Sequence, residues 1–253
     1  MAQVLAVAGA TGTLGRSVVT AARDAGHEVR RIARSTGVDL LTGDGLPEAL
    51  RGADAVIDCS KPPTLEEQEA TRWFTTAMRT LGAAAESAGI RRTVVISIVG
   101  IDRMQDYGFY RAQLVHEDAA RAHCPGPVVV RATQFHDFVG TMLQRDGERF
   151  TVIDVASQPV DTRVVARELL RQATATRPEP LTQIAGPRAE NTLDQARRLL
   201  AARGDDTPVV GIPASPSMRK GLMLPDPDVP TAGPTYDEWL QENVSREGRD
   251  RDG

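Results

Sequence analysis

The sequence predicts an α/β fold: a doubly wound parallel sheet covered by helices, followed by a small C-terminal subdomain that builds a substrate pocket. Three observations carry this. Short apolar runs rich in β-branched residues alternate with helical patterns through the first 132 residues, as parallel strands joined by crossover helices do. A turn carrying three glycines directly follows the first of those runs. After Gln134 the alternation loosens, and prolines gather between 208 and 234, which reads as irregular wrapping chain.

Val4–Ala8 is apolar, bounded by Gly9, and reads as a buried parallel strand. From Leu14 the spacing turns helical, with Leu14, Val18, Val19 and Ala22 on one face and Gly26 as the stop. His27–Ala33 is the second strand, Leu46–Leu50 a short helix and Ala53–Cys59 another buried strand. Lys61-Pro62-Pro63 is a loop. A long helix over about 65–88, a strand over 92–99, a loop over 100–109, a helix over 109–121 and a strand over 127–132 complete the alternating region. Beyond it the spacing suggests a helix over about 135–145, an extended piece over 150–155, and helices over 161–175, 192–203 and 236–241. The second of these three is capped by Asn191 or Thr192. The expected division is a core over 1–134, a pocket subdomain over 135–244 interwoven with it, and a charged, disordered tail over 245–253.

Composition narrows the function classes. The 253 residues are 41% apolar and 25% charged with a net charge of −4, ordinary for a globular protein. No basic patch and only 4% aromatics argue against a nucleic-acid partner. No apolar stretch reaches the roughly 20 residues of a membrane helix. Two distant cysteines, Cys59 and Cys124, form neither a disulfide framework nor a metal spacing, so reduced thiols in a cytoplasmic protein are expected. Monomer and homodimer both remain open.

Gly9-Ala10-Thr11-Gly12-Thr13-Leu14-Gly15 has the spacing G-x-x-G-x-x-G. After a strand and before a helix, such glycines permit a tight turn, close approach of backbone to a pyrophosphate and close helix–strand packing, as in Rossmann-like dinucleotide folds. The helix N-terminus adds unpaired N–H groups for the phosphates. The second strand ends in Arg34-Ser35, where NAD-binding chains commonly carry an acid for the ribose 2′-hydroxyl. A guanidinium suits a 2′-phosphate, so NADP(H) is expected over NAD(H). The alternative is a solvated arginine at a strand end. Arg31 is a second candidate.

These residues resemble the NmrA-like, atypical short-chain dehydrogenase/reductase group of the bacterial NAD(P)H-binding type, over nearly the whole chain. GATGTLGR at 9–16 is similar to its glycine motif, and Asp39-Leu40 to its adenine-contact pair. RTVVISIVGID at 92–102 resembles the strand whose serine, here Ser97, faces the nicotinamide. VVVRATQFHDFV at 128–139 resembles the strand and turn that border the substrate. With the glycine turn, the Arg34-Ser35 strand end and the carboxyl edge of the strand ending at Cys59, which faces the ligand crevice in an open α/β sheet, the expected cofactor contacts are Gly9, Thr11, Gly12, Thr13, Leu14, Gly15, Arg34, Ser35, Asp39, Leu40, Cys59, Ser60, Lys61, Ser97, Gln113 and Thr133. The expected substrate contacts are Val99, Tyr110, Gln134, Phe135, Phe138 and Met142. In many relatives the helix after the loop opens Tyr-Tyr-Arg-Ala-Lys, with a Tyr-x-x-x-Lys pair that moves the carbonyl proton and holds the ribose. Here it opens Phe109-Tyr110-Arg111-Ala112-Gln113. Phe109 cannot transfer a proton, and Gln113 can bond ribose hydroxyls only without charge.

Tyr110, Ser97 and Gln113 are therefore the catalytic candidates. Tyr110 is either a substitute acid or a packed tyrosine, and Ser97 either a ligand contact or a strand-end serine. His116, one turn after Gln113, is either a proton shuttle or an interhelix histidine. His136-Asp137 builds no triad by itself. Phe135, Phe138 and Met142 have the spacing of one apolar helical face, which packs in the core or lines a pocket. The expected function is an NADP(H)-dependent oxidoreductase acting on a small carbonyl, enone or quinone. The alternatives are a non-catalytic redox sensor and a lyase, isomerase or cyclase reusing the fold.

Overall fold

The computed structural model describes residues 1–249, with side chains through Asn243. Its elements run β1 (Val4–Ala8), α1 (Thr13–Asp24), β2 (Glu28–Ile32), α2 (Leu46–Leu50), β3 (Ala55–Asp58), α3 (Glu67–Ser87), β4 (Thr93–Ile98), α4 (Gly108–His123) and β5 (Pro127–Ala132). There follow α5 (Phe138–Met142), β6 (Gln144–Asp146), β7 (Arg149–Asp154), β8 (Ala156–Ser157), α6 (Thr162–Thr174), β9 (Leu181–Ile184) and β10 (Glu190–Asn191). The last are α7 (Thr192–Ala202), β11 (Val209–Pro213), α8 (Pro216–Arg219) and α9 (Tyr236–Arg249). The chain forms two compact units. The first comprises Met1–Ala132 and Thr162–Gln183, the second Thr133–Asp161 and Ile184 onward.

The first unit is built on a sheet of order β2-β1-β3-β4-β5-β9, with β2, β1, β3, β4 and β5 pairing in parallel. Chain order reverses direction on either side of β1, so the switch point lies where β1 ends between Ile32 and Asp58, both paired with Ala8. Strand residues alternate between faces. Ala6, Ala8, Val56, Val95 and Val129 pack with Met78, Leu81, Ala85, Ala119 and Ala120 of α3 and α4. Leu5, Val7, Ile57, Val94 and Val128 are buried on the alternate positions. Helix α6 lies on β3, β4 and β5 and beside α1, where Ser17 and Thr162 share a 3.0 Å hydrogen bond.

The return of α6 carries residues 162–183 back across the expected boundary at 134/135. Residues 162–183 belong with the first unit because α6 carries an apolar face of Val164, Val165, Ala166, Leu169 and Ala173. Arg92 fastens its end, donating to the carbonyls of Gln172 (3.2 Å), Ala173 (3.0 Å) and Ala175, which would otherwise be unpaired at a helix C-terminus.

The second unit has its own core of Val139, Val152, Ala196, Leu199, Leu200, Val209, Tyr236 and Leu240. It holds a three-stranded sheet β11-β7-β6 and a small β10-β8 ladder. Asn191 caps α7, its side chain accepting from Leu193 N–H (2.9 Å) and Asp194 N–H (3.3 Å), as its position before the helix suggests. The expected helix over 135–145 shortens to Phe138–Met142. Phe135 instead bridges Val160, and Gln144–Asp146 turns back on Arg149–Asp154 as a hairpin. The region read as irregular holds strand β11. Helix α9 continues to Arg249, so 245–249 of the expected tail are helical. The remaining positions, 250–253, lie outside the described residues.

Candidate functional site

The glycine turn leaves β1 at the switch point. Gly9 has φ +69, and a Cβ there would lie 2.6 Å from the Cys59 carbonyl oxygen and 2.8 Å from the Ser60 nitrogen. Gly12 donates its N–H to Gly9 O at 2.9 Å. A Cβ on Gly15 would lie 2.1 Å from that same oxygen, so α1 meets the turn backbone against backbone. Gly12 is the N-cap of α1 and supplies no side-chain cap. The first N–H groups of the helix thus lack the partner that Ser, Thr, Asp or Asn would give them. Thr11, Gly12 and Thr13 are exposed, and Leu14 and Gly15 are buried beneath them. A turn so close-packed that a Cβ at Gly9 or Gly15 would collide with backbone, ending on an uncapped positive helix end, fits a dinucleotide pyrophosphate.

Beside it, the chain leaves β2 through Ala33 into a 3-10 turn over Arg34–Thr36. Thr36 Oγ1 accepts from Ala33 N–H (3.2 Å) and donates to Ala33 O (2.8 Å). That clamp leaves Arg34 and Ser35 exposed, and among the described residues no carboxylate pairs with the Arg34 guanidinium. Among the described residues, no acid stands at this strand end to receive a ribose 2′-hydroxyl. Asp39 turns onto its own loop, taking Leu41 N–H at 2.6 Å, while Leu40 packs in the core. On the other side of the turn, Cys59 is half-buried. Burial first, and the Asp58 carboxylate second, push its thiol well up. Ser60 is buried, its hydroxyl without a partner among the described residues, and Lys61 is exposed.

Helix α4 carries two buried polar networks that the sequence reading missed. In the first, His116 Nε2 donates to Asp58 Oδ2 at 3.0 Å, and both side chains are fully buried. Asp58 Oδ1 accepts Ser60 N–H at 3.0 Å. Gln113 Nε2 lies 2.9 Å from His116 Nδ1 and 3.4 Å from Ile96 O. Phe74 stacks on the His116 ring at 4.4 Å. In the second, Ser97 donates to Glu117 Oε1 at 2.6 Å. Arg131 grips the same carboxylate at two points and reaches Asp102 at 3.3 Å. Burial opposes the charge on Glu117, but Arg131, Ser97 and Arg121 outweigh it and hold its carboxyl below the usual carboxylate range. The available signal was Gln113, His116 and Glu117 recurring on the helix face that also holds Ala112, Ala119 and Ala120.

These contacts redefine the catalytic candidates. The Ser97 hydroxyl proton points into Glu117. Phe109 packs near Phe74 at 6.4 Å, in a cluster with Ala70 and Ala112. Tyr110 is buried, edge-on to Tyr107 at 4.9 Å. Val99 is wholly buried, its N–H on Ala132 O.

Within the second unit, Thr133 and Gln134 are buried. Among the described residues the Thr133 hydroxyl and both polar atoms of the Gln134 amide find no hydrogen-bond partner. Phe135, Phe138 and Met142 do not share a helical face, because Phe135 is extended in its bridge with Val160. Phe138 is exposed and Met142 packs on the unit's core. Among the described residues no group of side chains could hold a metal ion, and no helix is long and apolar enough to cross a membrane.

Residues 9–136 match the model of a family described as NAD(P)H-binding. The chain belongs to this NAD(P)H-binding family. The match begins at Gly9 and spans the cradle and both α4 networks. A (4-alkanoyl-5-oxo-2,5-dihydrofuran-3-yl)methyl phosphate reductase from Streptomyces griseus is 28% identical over 221 residues, covering 79% of this chain and 74% of that one. A dTDP-4-dehydrorhamnose reductase from Mycolicibacterium smegmatis is 26% identical over 233 residues, 81% of this chain and 71% of the other. Among solved structures, a short-chain dehydrogenase/reductase superfamily protein from Agrobacterium tumefaciens with bound NAD superposes with a TM-score of 0.67 at 20% identity. It covers 97% of this chain and 98% of its own. The NAD(P)H-binding chain thus has the Rossmann-like, short-chain dehydrogenase/reductase fold that the motifs imply.

Proposed function

We propose that this NAD(P)H-binding chain is an oxidoreductase that uses NADP(H) to reduce or oxidise a small carbonyl, enone or quinone compound. The observation that carries the cofactor choice is the exposed Arg34 beside Ser35 at the end of β2, with no acid paired to it among the described residues. A guanidinium there attracts a 2′-phosphate and leaves a bare 2′-hydroxyl without an acceptor. The reductase names of two relatives support the reaction class.

In this reading the turn over Gly9–Gly15 and the start of α1 hold the pyrophosphate, and Arg34 and Ser35 hold the 2′-phosphate. Gln113 meets a ribose hydroxyl. When bound, the nicotinamide supplies or accepts the hydride. Ser97, with its proton on Glu117, offers oxygen lone pairs rather than a proton. Tyr110 is the remaining acid on α4 next to Phe109. Catalysis rests chiefly on positioning. A second reading, a dinucleotide sensor or a non-redox enzyme on the same fold, is favoured by the apolar packing of Phe109 where relatives carry a proton donor.

Titration with NADPH and NADH, followed by turnover assays on ketones, enones and quinones, tests the reading. NADPH should bind more tightly, and Arg34→Ala should weaken it about 10- to 100-fold while sparing NADH. Equal affinities that Arg34→Ala leaves unchanged would remove the 2′-phosphate assignment. Tight binding without consumption of NADPH would favour the second reading.

A further inference from the structure

We propose that His116 is a positioning residue that fixes Gln113 as a hydrogen-bond acceptor, so that the ligand group meeting Gln113 must be a hydroxyl donor. The ligand half rests on the reading above, which brings a ribose hydroxyl to Gln113.

Asp58 anchors the network. Its carboxylate, buried at the end of β3, takes Ser60 N–H on one oxygen and His116 Nε2 on the other. An ionised carboxylate only accepts, so His116 carries its proton on Nε2. In the neutral ring Nδ1 then has a bare lone pair, and the Gln113 amide must turn its nitrogen toward it, at 2.9 Å. The second amide hydrogen finds Ile96 O at 3.4 Å. This carbonyl decides the orientation. Turning the amide over would set Gln113 Oε1 against Ile96 O, two acceptors with no proton between them. Phe74, stacked on the ring, keeps the imidazole plane in place. Both Gln113 donors are thus engaged inside the protein, and Oε1 is left without a partner among the described residues.

The chemistry offered at this point is therefore specific. A lysine would present charge and donors. Gln113 held by His116 presents one neutral acceptor, which welcomes a sugar hydroxyl and repels a phosphate or carboxylate oxygen. The Asp58–His116 pair makes that choice from behind the ligand, without touching it.

A double-mutant cycle on the full chain tests this, with NADPH affinity as the readout. Gln113→Leu and His116→Phe should each weaken NADPH about two- to tenfold, and the double variant should be no weaker than Gln113→Leu alone. Additive losses, or a His116→Phe variant that binds like wild type while Gln113→Leu does not, would overturn the role of His116. Wild-type protein that binds no NADPH would instead overturn the ligand half together with the proposed function. Should His116→Phe fail to fold, nitrogen-15 NMR of histidine-labelled wild type gives a second test. His116, assigned among the chain's four histidines, should carry its proton on Nε2 and leave Nδ1 bare. An Nδ1-protonated or doubly protonated ring would overturn the proposal.

Discussion

Glu117 on α4 holds Arg131 of β5 by two parallel bonds, Nε to Oε1 at 2.8 Å and Nη2 to Oε2 at 3.0 Å, with the carboxylate fully buried. Ser97 from β4 adds a third bond to the same group, so one carboxylate joins a helix and two strands behind the candidate site.

Removing that charge leaves the buried Arg131 with the half-exposed Asp102, at 3.3 Å, as its remaining acidic partner. Glu117→Gln should lower stability by about 3–5 kcal/mol at pH 7 in denaturant unfolding. The carboxyl is held below its usual range, so its stabilisation is fully present above the unfolded value, about pH 4.3. It is lost as the pH falls through the lower folded value. The gap between wild type and Glu117→Gln should therefore shrink below about pH 4.3. A gap that grows in acid would contradict the assignment.

Neither thiol should react in the native protein. Burial first, then the Asp58 carboxylate, pushes Cys124 up to about 12, and Cys59 moves the same way for the same reasons. Both are protonated at pH 8, and the thiolate is the reactive form. A disulfide reagent should label two thiols after unfolding and none before.

The sequence made the sheet and the cradle legible because their causes are local. Three glycines, a strand before them and a helix after them lie between Val4 and Asp24, and Asn191 announced its helix in the same way. Misreadings arose where the deciding partner is distant. Phe135 has helical spacing with Phe138, yet extends because Val160 exchanges backbone bonds with its neighbours. Asp58 reads as the end of an apolar strand, and nothing near it names His116, 58 positions later. Ser97 fits its expected place, but Glu117 decides where its proton goes.

Restoring a proton relay tests whether redox chemistry is latent. Phe109 is only partly buried, so a phenol is tolerated there. Phe109→Tyr with Gln113→Lys should raise NADPH-dependent turnover on an accepted carbonyl by about a hundredfold, the lower range for a positioned general acid. Turnover unchanged in a folded double variant would favour the sensor or non-redox reading.

The central claim is that the turn over Gly9–Gly15 and the start of α1 hold a dinucleotide, and Gly12→Asp tests it most directly. Gly12 is the exposed N-cap, at φ −74 and ψ 169, a conformation any residue adopts. A Cβ there would lie 3.3 Å from Gly9 O, a contact that a small shift relieves. An aspartate would cap α1, supporting the fold, while its carboxylate would occupy the N–H groups meant for phosphate. Paired thermal melts and NADPH titrations should show a variant that melts within a few degrees of wild type and binds NADPH at least a hundredfold more weakly. A folded Gly12→Asp protein that binds NADPH as tightly as wild type would place the cofactor elsewhere and contradict the account.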